Sequence, residues 1–125
     1  MAKQIDVATN NTEDMGKLEA TEEVIADIAD DADCNTVVAA ATTLGKDVLP
    51  RVAVRMEAGM ASDVIGVVRT GEGLGVRRPM WAGNLVGDAV VTSENKVFSV
   101  RASAFDAAEP AGDKSEIAMF AAQPD

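Results

Sequence analysis

The spacing of apolar residues predicts an amphipathic helix near the start of the chain. Over residues 17–30, leucine, valine and isoleucine recur at near-helical intervals, and aspartate or glutamate fills most positions between them. This pattern is typical of a helix with one buried face, and we expect its acidic run to form the solvated face. Ahead of the helix, residues 4–9 alternate weakly between apolar and polar side chains, which favours a short strand.

The next segment predicts a strand, a helix and a second strand. Residues 36–42 are a continuous apolar run, which favours a strand buried on both faces of a parallel sheet. A proline is best tolerated in the first turn of a helix, so Pro50 predicts a helix beginning near residue 47, capped by Thr43 or Asp47. Residues 62–68 are again apolar and predict a strand reached by a right-handed crossover. The helix between them has this apolar stripe: Val48, Leu49, Val52 and Met56.

The second half of the chain predicts antiparallel strands. Residues 77–92 and 96–102 are rich in β-forming residues, and the polar residues 93–95 between them suit a hairpin connection. Along the last strand, Phe98 and Val100 alternate with other residues, so we expect one face of it to be more exposed.

Composition then narrows the classes of function. The 125 residues carry 21 acidic and 11 basic side chains, a net charge of −10, and no histidine. The negative charge disfavours nucleic acid as a partner, because such binding depends on clustered cations. Without histidine there is no Ser–His or Cys–His nucleophile pair, and we expect a protein that is not an enzyme. A single cysteine and the lack of any secretory pattern or long apolar run predict a cytoplasmic protein without membrane insertion.

One candidate binding segment lies where the first predicted parallel strand gives way to a helix. Ligands of open parallel sheets collect outside the carboxyl ends of the strands. Glycine there allows close backbone approach, lysine supplies a positive charge and threonine supplies a hydroxyl. The segment lacks the glycine-rich length of a Walker loop, so a weak nucleotide site and simple helix capping both remain open. The candidate residues are Thr43, Gly45, Lys46 and Asp47.

Two other segments attract attention. Residues 71–75 hold three glycines, but neither their spacing nor the residues after them match a dinucleotide loop, so we expect a flexible turn. Residues 77–84 place two arginines beside the only tryptophan, the residue types that dominate interface hot spots. An interaction surface and an edge strand with Trp81 in the core are both open interpretations.

Four blocks of sequence resemble one known family. They are ATTLGKDVLPRVA (41–53), SDVIGVV (62–68), RPMWAGN (78–84) and KVFSVRASAFDAA (96–108). In order and spacing they resemble the N-terminal domain of the α subunit of electron transfer flavoprotein, over residues 36–120. The resemblance implies an α/β fold: a partial doubly wound sheet like that of the adenine nucleotide alpha hydrolases, with parallel strands and an antiparallel C-terminal hairpin. Residues 1–108 would be part of this domain, and residues 109–125 a linker or tail.

The resemblance also implies a function. Members of this family are heterodimers that carry electrons from flavin dehydrogenases, including those of fatty acid β-oxidation, through FAD. The FAD is bound mainly by a C-terminal domain of the α subunit, which these residues do not include. In the β subunit, a loop equivalent to residues 42–47 holds AMP.

The role implied for this chain is a scaffold for the β subunit and the flavin domain. The residues that would shape this scaffold are Arg78, Pro79, Trp81 and Asn84. The alternative is a small stand-alone domain that binds an adenine nucleotide at residues 42–47. Since the family's N-terminal domain begins with two further β–α units, we also expect an exposed sheet edge and a chain that is marginally stable alone or completed by a partner.

Overall fold

The structure of the chain, a computed structural model, describes residues 18–109, 112 and 117–121. Within these residues there are two helices, six strands and one short 3-10 helix. In chain order they are α1 (Leu18–Asp31), β1 (Thr36–Ala40), α2 (Thr43–Arg55), β2 (Gly59–Val64), β3 (Gly66–Thr70), β4 (Gly73–Met80), β5 (Leu85–Val90), β6 (Lys96–Val100) and a 3-10 helix at Ala102–Ala104. The strand predicted over residues 4–9 lies outside the described residues.

The strands form two small sheets. One is parallel, in the order β1-β6-β2, and the other is antiparallel, in the order β3-β4-β5. In the parallel sheet, Lys96 at the start of β6 is opposite both Thr36 of β1 and Gly59 of β2. The predicted α/β class, with both parallel and antiparallel strands, is therefore confirmed.

The central strand β6 separates two apolar clusters, because successive side chains of a strand point to opposite faces. Val97 packs with the buried side chains of α2, and Phe98 packs with a cluster that includes Val64 and Val76. The helices thus cover one face of the parallel sheet, and the antiparallel sheet covers the other.

Helix α1 confirms the predicted amphipathic helix, since Ala29 is buried and Ile25 packs on the core. The expectation that its acidic residues are all solvated is wrong. Glu22 is only 6 % exposed, and its carboxylate lies 3.7 Å from the guanidinium of Arg51 on α2. A second ion pair joins Glu23 to Arg55. Arginines on α2 compensate these charges, which allows the two helices to pack side by side.

Helix α2 begins at Thr43, not near residue 47, and neither Thr43 nor Asp47 is its cap. Thr42 is the N-cap, and its hydroxyl oxygen accepts a hydrogen bond from the Gly45 N–H at 3.1 Å. Pro50 consequently lies in the helix interior, at a cost of about 3 kcal/mol. Burial of several aliphatic side chains of the helix, at about 1.5–3 kcal/mol each, outweighs that cost.

The predicted strand at residues 36–42 is shorter and less buried than expected. Only Thr36–Ala40 are in β1, and its residues alternate between exposed and half-buried, with Val38 55 % exposed. In the described part of the chain β1 pairs only with β6. Only one face of β1 packs against the core, whereas the apolar run predicted that both faces of the strand would be buried.

Residues 62–68 form parts of two strands, not one. The chain leaves the parallel sheet at Ile65, whose N–H donates to the Arg77 carbonyl at 2.8 Å. Just before this point the β2 register shifts between Ala61 and Val64, and Asp63 has a φ of 57°. This irregularity turns the chain from β2 into β3, and no sequence pattern indicated it.

The hairpin expected at residues 93–95 is also wrong. Those residues lead from β5 to β6, and β6 runs parallel to both of its neighbours. The antiparallel connections lie instead at residues 71–72 and 81–84. Because β6 is central, Val97, Phe98 and Ser99 are all buried, and the predicted exposed face does not exist.

Candidate functional site

The end of the β4–β5 hairpin has an unusual backbone. Trp81 and Ala82 have φ values of 53° and 54°, followed by Gly83 at 86°. The Gly83 N–H donates to the Met80 carbonyl at 3.1 Å, and the Asn84 N–H to the Trp81 carbonyl at 3.1 Å. A non-glycine residue in this left-handed region costs roughly 1–2 kcal/mol. The turn therefore holds a tryptophan in a strained conformation, which is a feature enriched at functional sites.

Trp81 points into solvent, with 76 % of its surface exposed. The interpretation that it packs in the core is therefore wrong. Three further large apolar residues beside it are also exposed, and with Trp81 we call them the hairpin-tip patch: Met80, Trp81, Leu85 and Val86. Met80 and Leu85 are cross-strand partners on one face, whereas Val86 pairs with Pro79 on the other, so the patch extends around the hairpin end. Isolated exposed apolar residues are ordinary, but four in one hairpin end are typical of an interaction surface.

The patch arises because the hairpin loses its cover toward the turn. Val76, Arg78 and Met80 lie on the same face of β4, since strand side chains alternate. Along this face Val76 is 1 % exposed, Arg78 is half-buried and Met80 is exposed. Opposite Met80 in the register is Leu85, which is exposed as well. The inner face of the hairpin thus begins in the core and ends in solvent.

Polar contacts stabilise the base of the hairpin on both faces. On the inner face, Arg78 Nη2 donates to Ser62 Oγ at 3.0 Å. On the outer face, Arg77 makes two hydrogen bonds to its cross-strand partner Asp88, at 2.7 and 3.0 Å. These hydrogen bonds lower the pKa of Asp88 and raise the pKa of Arg77 from their ordinary values. Both pairs hold β4 in place beneath the exposed turn.

The structure places the four predicted scaffold residues at this one hairpin end, but not on one surface. Trp81 and Asn84 are exposed in the turn, whereas Arg78 and Pro79 are half-buried on opposite faces of β4. Sequence reasoning missed Met80, Leu85 and Val86. Two consecutive apolar residues right after the turn were the signal for Leu85 and Val86, because one of them had to face away from the core.

The four candidate nucleotide residues lie in the first two turns of α2, not in a loop. The Gly45 N–H is bonded to Thr42 Oγ1 and the Lys46 N–H to the Thr42 carbonyl at 2.9 Å, so neither is free for a phosphate. Asp47 is 3.7 Å from Arg51. Lys46 lines a cavity, and Thr43 is exposed. Nucleotide binding at this segment stays a prediction.

The glycine-rich segment at residues 71–75 is partly the predicted turn and partly a strand. Gly71 and Glu72 connect β3 to β4, and Gly73 and Gly75 belong to β4. A pyrophosphate cradle needs a helix to follow its glycines. A strand follows here, so this segment does not fit a flavin dinucleotide, and we assign no step of electron transfer to these residues.

The described residues contain no cluster of three or more residues able to hold a metal ion. Neither described helix is long and apolar enough to cross a membrane.

Comparison with known proteins identifies the family. The model of the electron transfer flavoprotein domain matches residues 2–125. A probable mitochondrial electron transfer flavoprotein subunit alpha from Cryptococcus neoformans is 31 % identical over 120 residues, which cover 91 % of this chain and 33 % of that protein. A probable mitochondrial subunit alpha from Schizosaccharomyces pombe is 40 % identical over 77 residues, 62 % of this chain and 22 % of that protein.

A bacterial relative shows the same similarity. The electron transfer flavoprotein subunit alpha of Pseudomonas aeruginosa is 35 % identical over 81 residues, 65 % of this chain and 25 % of that protein. The chain spans about a third of the length of these curated relatives, or less. With a domain match over nearly its full length and three named relatives that are α subunits, the chain belongs to the electron transfer flavoprotein family.

Proposed function

We propose that this chain is a scaffold within an electron transfer flavoprotein, and that it docks on the β subunit through the hairpin-tip patch. The observation that carries the proposal is the exposure of Trp81 in a strained turn, next to three other exposed apolar residues. Tryptophan is among the residues that contribute most to interface affinity. The stable base formed by Arg78 and Ser62 presents the patch in one orientation, which lowers the entropy cost of docking.

The electron carriage itself belongs to the full complex. FAD would be bound mainly by a flavin domain beyond these residues, and AMP by the partner subunit. The complex would accept electrons from flavin dehydrogenases, and this chain would carry out no catalytic step of its own. Within it, residues 1–108 would be part of the α-subunit N-terminal domain and residues 109–125 a linker or tail.

A cytoplasmic location remains a prediction. The names of the Cryptococcus and Schizosaccharomyces relatives include the word mitochondrial, whereas the name of the Pseudomonas relative does not. The alternative of a stand-alone adenine-nucleotide module at residues 42–47 has less support, because the N–H groups of Gly45 and Lys46 are bonded within the start of the helix.

Binding of the purified chain to an electron transfer flavoprotein β subunit tests the proposal. We expect Trp81→Ala to weaken binding about 30-fold or more, because hot-spot residues contribute about 2 kcal/mol or more. Val54→Ala is the matched control, since Val54 is 79 % exposed on α2, away from the hairpin. Surface plasmon resonance gives both affinities, and circular dichroism checks that both variants fold.

Two results would overturn the proposal. One is a wild-type chain that does not bind the β subunit at all. The other is an equal loss of affinity in the Trp81→Ala and Val54→Ala variants, which would show that the hairpin-tip patch is not the docking surface.

A further inference from the structure

A cavity of about 510 Å³ lies between α2 and the parallel sheet. Its volume falls within the ~300–1,000 Å³ typical of small-molecule sites. Asp63 and Ser99 are each one residue before the end of a parallel strand, so the cavity opens at the carboxyl edge of the sheet, where ligands of such sheets collect. The residues that line it are Lys46, Pro50, Met60, Ser62, Asp63 and Ser99.

Lys46 and Asp63 line the cavity, and with the nearby Arg101 and Arg78 its surroundings carry an excess of positive charge. Arg101 binds Asp63 with two hydrogen bonds, Nε to Oδ1 at 3.1 Å and Nη2 to Oδ2 at 2.5 Å. These hydrogen bonds are the main cause that lowers the pKa of Asp63 from its ordinary value. Burial opposes the change, and the charges of Arg101, Lys46 and Arg78 lower the pKa further. Asp63 is thus ionised and engaged by Arg101, and Lys46 and Arg78 are left without a carboxylate in the cluster, in a chain whose net charge is −10.

The same cluster contains hydrogen-bond donors with spare capacity. Arg78 does not line the cavity itself, but its Nη2 donates to Ser62 Oγ in the cavity wall, and its buried Nε has no hydrogen-bond partner among the described residues. Ser99 is fully buried and accepts the Asp63 N–H at 2.9 Å, so its hydroxyl hydrogen remains available to donate. An anion in the cavity would accept a hydrogen bond from this hydroxyl and balance the charge of Lys46.

We propose that this cavity binds the phosphate group of a small phosphorylated molecule. A lysine and a serine hydroxyl in the cavity wall suit a phosphate, with Lys46 as the point charge and the arginine charges of Arg78 and Arg101 close by. The negative charge of the whole chain disfavours a polymeric polyanion, so the ligand is a small molecule. The inference goes beyond the docking role and does not depend on it. The proposed site also differs from a phosphate loop, since side chains and not helix N–H groups would contact the phosphate.

Calorimetric titration of the full chain at constant ionic strength tests this site, with AMP, inorganic phosphate and adenosine as probes. We expect AMP and phosphate to bind and adenosine not to bind. Lys46→Ala should weaken binding of AMP and phosphate about tenfold, the usual effect of losing one hydrogen bond to a charged group. The matched control is Lys96→Ala, which removes the same charge at the opposite end of the sheet, where Lys96 Nζ donates to the Glu94 carbonyl.

Nuclear magnetic resonance spectra of the ¹⁵N-labelled chain locate the binding. We expect phosphate to shift the amide signals of Asp63 and Arg101, and to leave those of α1 unchanged. Binding of adenosine as tight as that of AMP would contradict the proposal, since the base would then be recognised and not the phosphate. Equal losses in the two lysine variants, or the absence of heat and of signal shifts with phosphate, would overturn it as well.

Discussion

Gly45 contributes to this fold through the space that it leaves, not through flexibility. A Cβ atom at this position would lie 2.1 Å from the Ala40 carbonyl oxygen, because the start of α2 packs directly against the end of β1. Glycine in a helix costs roughly 0.5–1 kcal/mol relative to alanine, so close packing accounts for its presence here. The sequence suggested backbone freedom for a phosphate loop, but the close contact became visible only in the structure.

Gly45→Ala should therefore lower the free energy of unfolding by about 1–3 kcal/mol, as overpacking does in protein cores, despite the better helix propensity of alanine. Urea denaturation followed by circular dichroism measures this. Gly71→Ala is the control, since no atom lies within 4 Å of its added Cβ, and there we expect no loss or a gain of about 0.4–1 kcal/mol. A Gly45→Ala variant as stable as the wild type would show that the helix can move away from β1 without cost.

Among the elements, the β4–β5 hairpin combines a stable base with a strained turn. The pairing of Arg77 with Asp88 and the contact of Arg78 with Ser62 hold the strands. Trp81 and Ala82 occupy left-handed positions for which glycine and asparagine are the favoured residues. Turn chemistry in the sequence gave no sign of this, because a Trp-Ala pair is not a typical signal for such a turn.

Relief of this strain should be measurable. Ala82→Gly should raise the free energy of unfolding by about 1 kcal/mol, because glycine occupies the left-handed region without steric cost. Thermal unfolding checks this, with Ala107→Gly as the control in an exposed segment without secondary structure. The control should be neutral or slightly destabilising. If both substitutions had the same effect, the turn would not be strained at Ala82.

At the scale of the whole molecule, the described residues form two small clusters of buried side chains on either side of β6. Large apolar residues remain exposed well away from the hairpin, among them Val38 on β1 and Leu44 on α2. A sheet edge and uncovered apolar surface both favour association with another chain. The expectation of marginal stability alone is consistent with this arrangement and is not tested by it.

Hydrogen exchange tests it directly. In a monomer confirmed by analytical ultracentrifugation, we expect the amides of β6 to be the most protected and those of β1 to exchange faster, since β1 is an edge strand and β6 is central. Uniformly high protection of β1, β2 and β6 would contradict the idea that the chain depends on a partner for its stability.

The sequence by itself determined those features that depend on neighbouring residues. Near-helical spacing was sufficient to predict α1, and β-forming runs located most strand segments. The order and spacing of four sequence blocks indicated the family that the domain match confirms. These signals are local, and hydrophobic periodicity reports them without knowledge of the partner strand or helix.

Only the tertiary structure decided which segments meet. It placed β6 between β1 and β2, allowed Pro50 inside a helix whose apolar face is buried, and left Trp81 in solvent. It also joined Asp63 to Arg101 across 38 positions of sequence. The physical reason is that pairing and burial are set by the free energy of the whole assembly of elements, and that free energy outweighs the preference of any single segment.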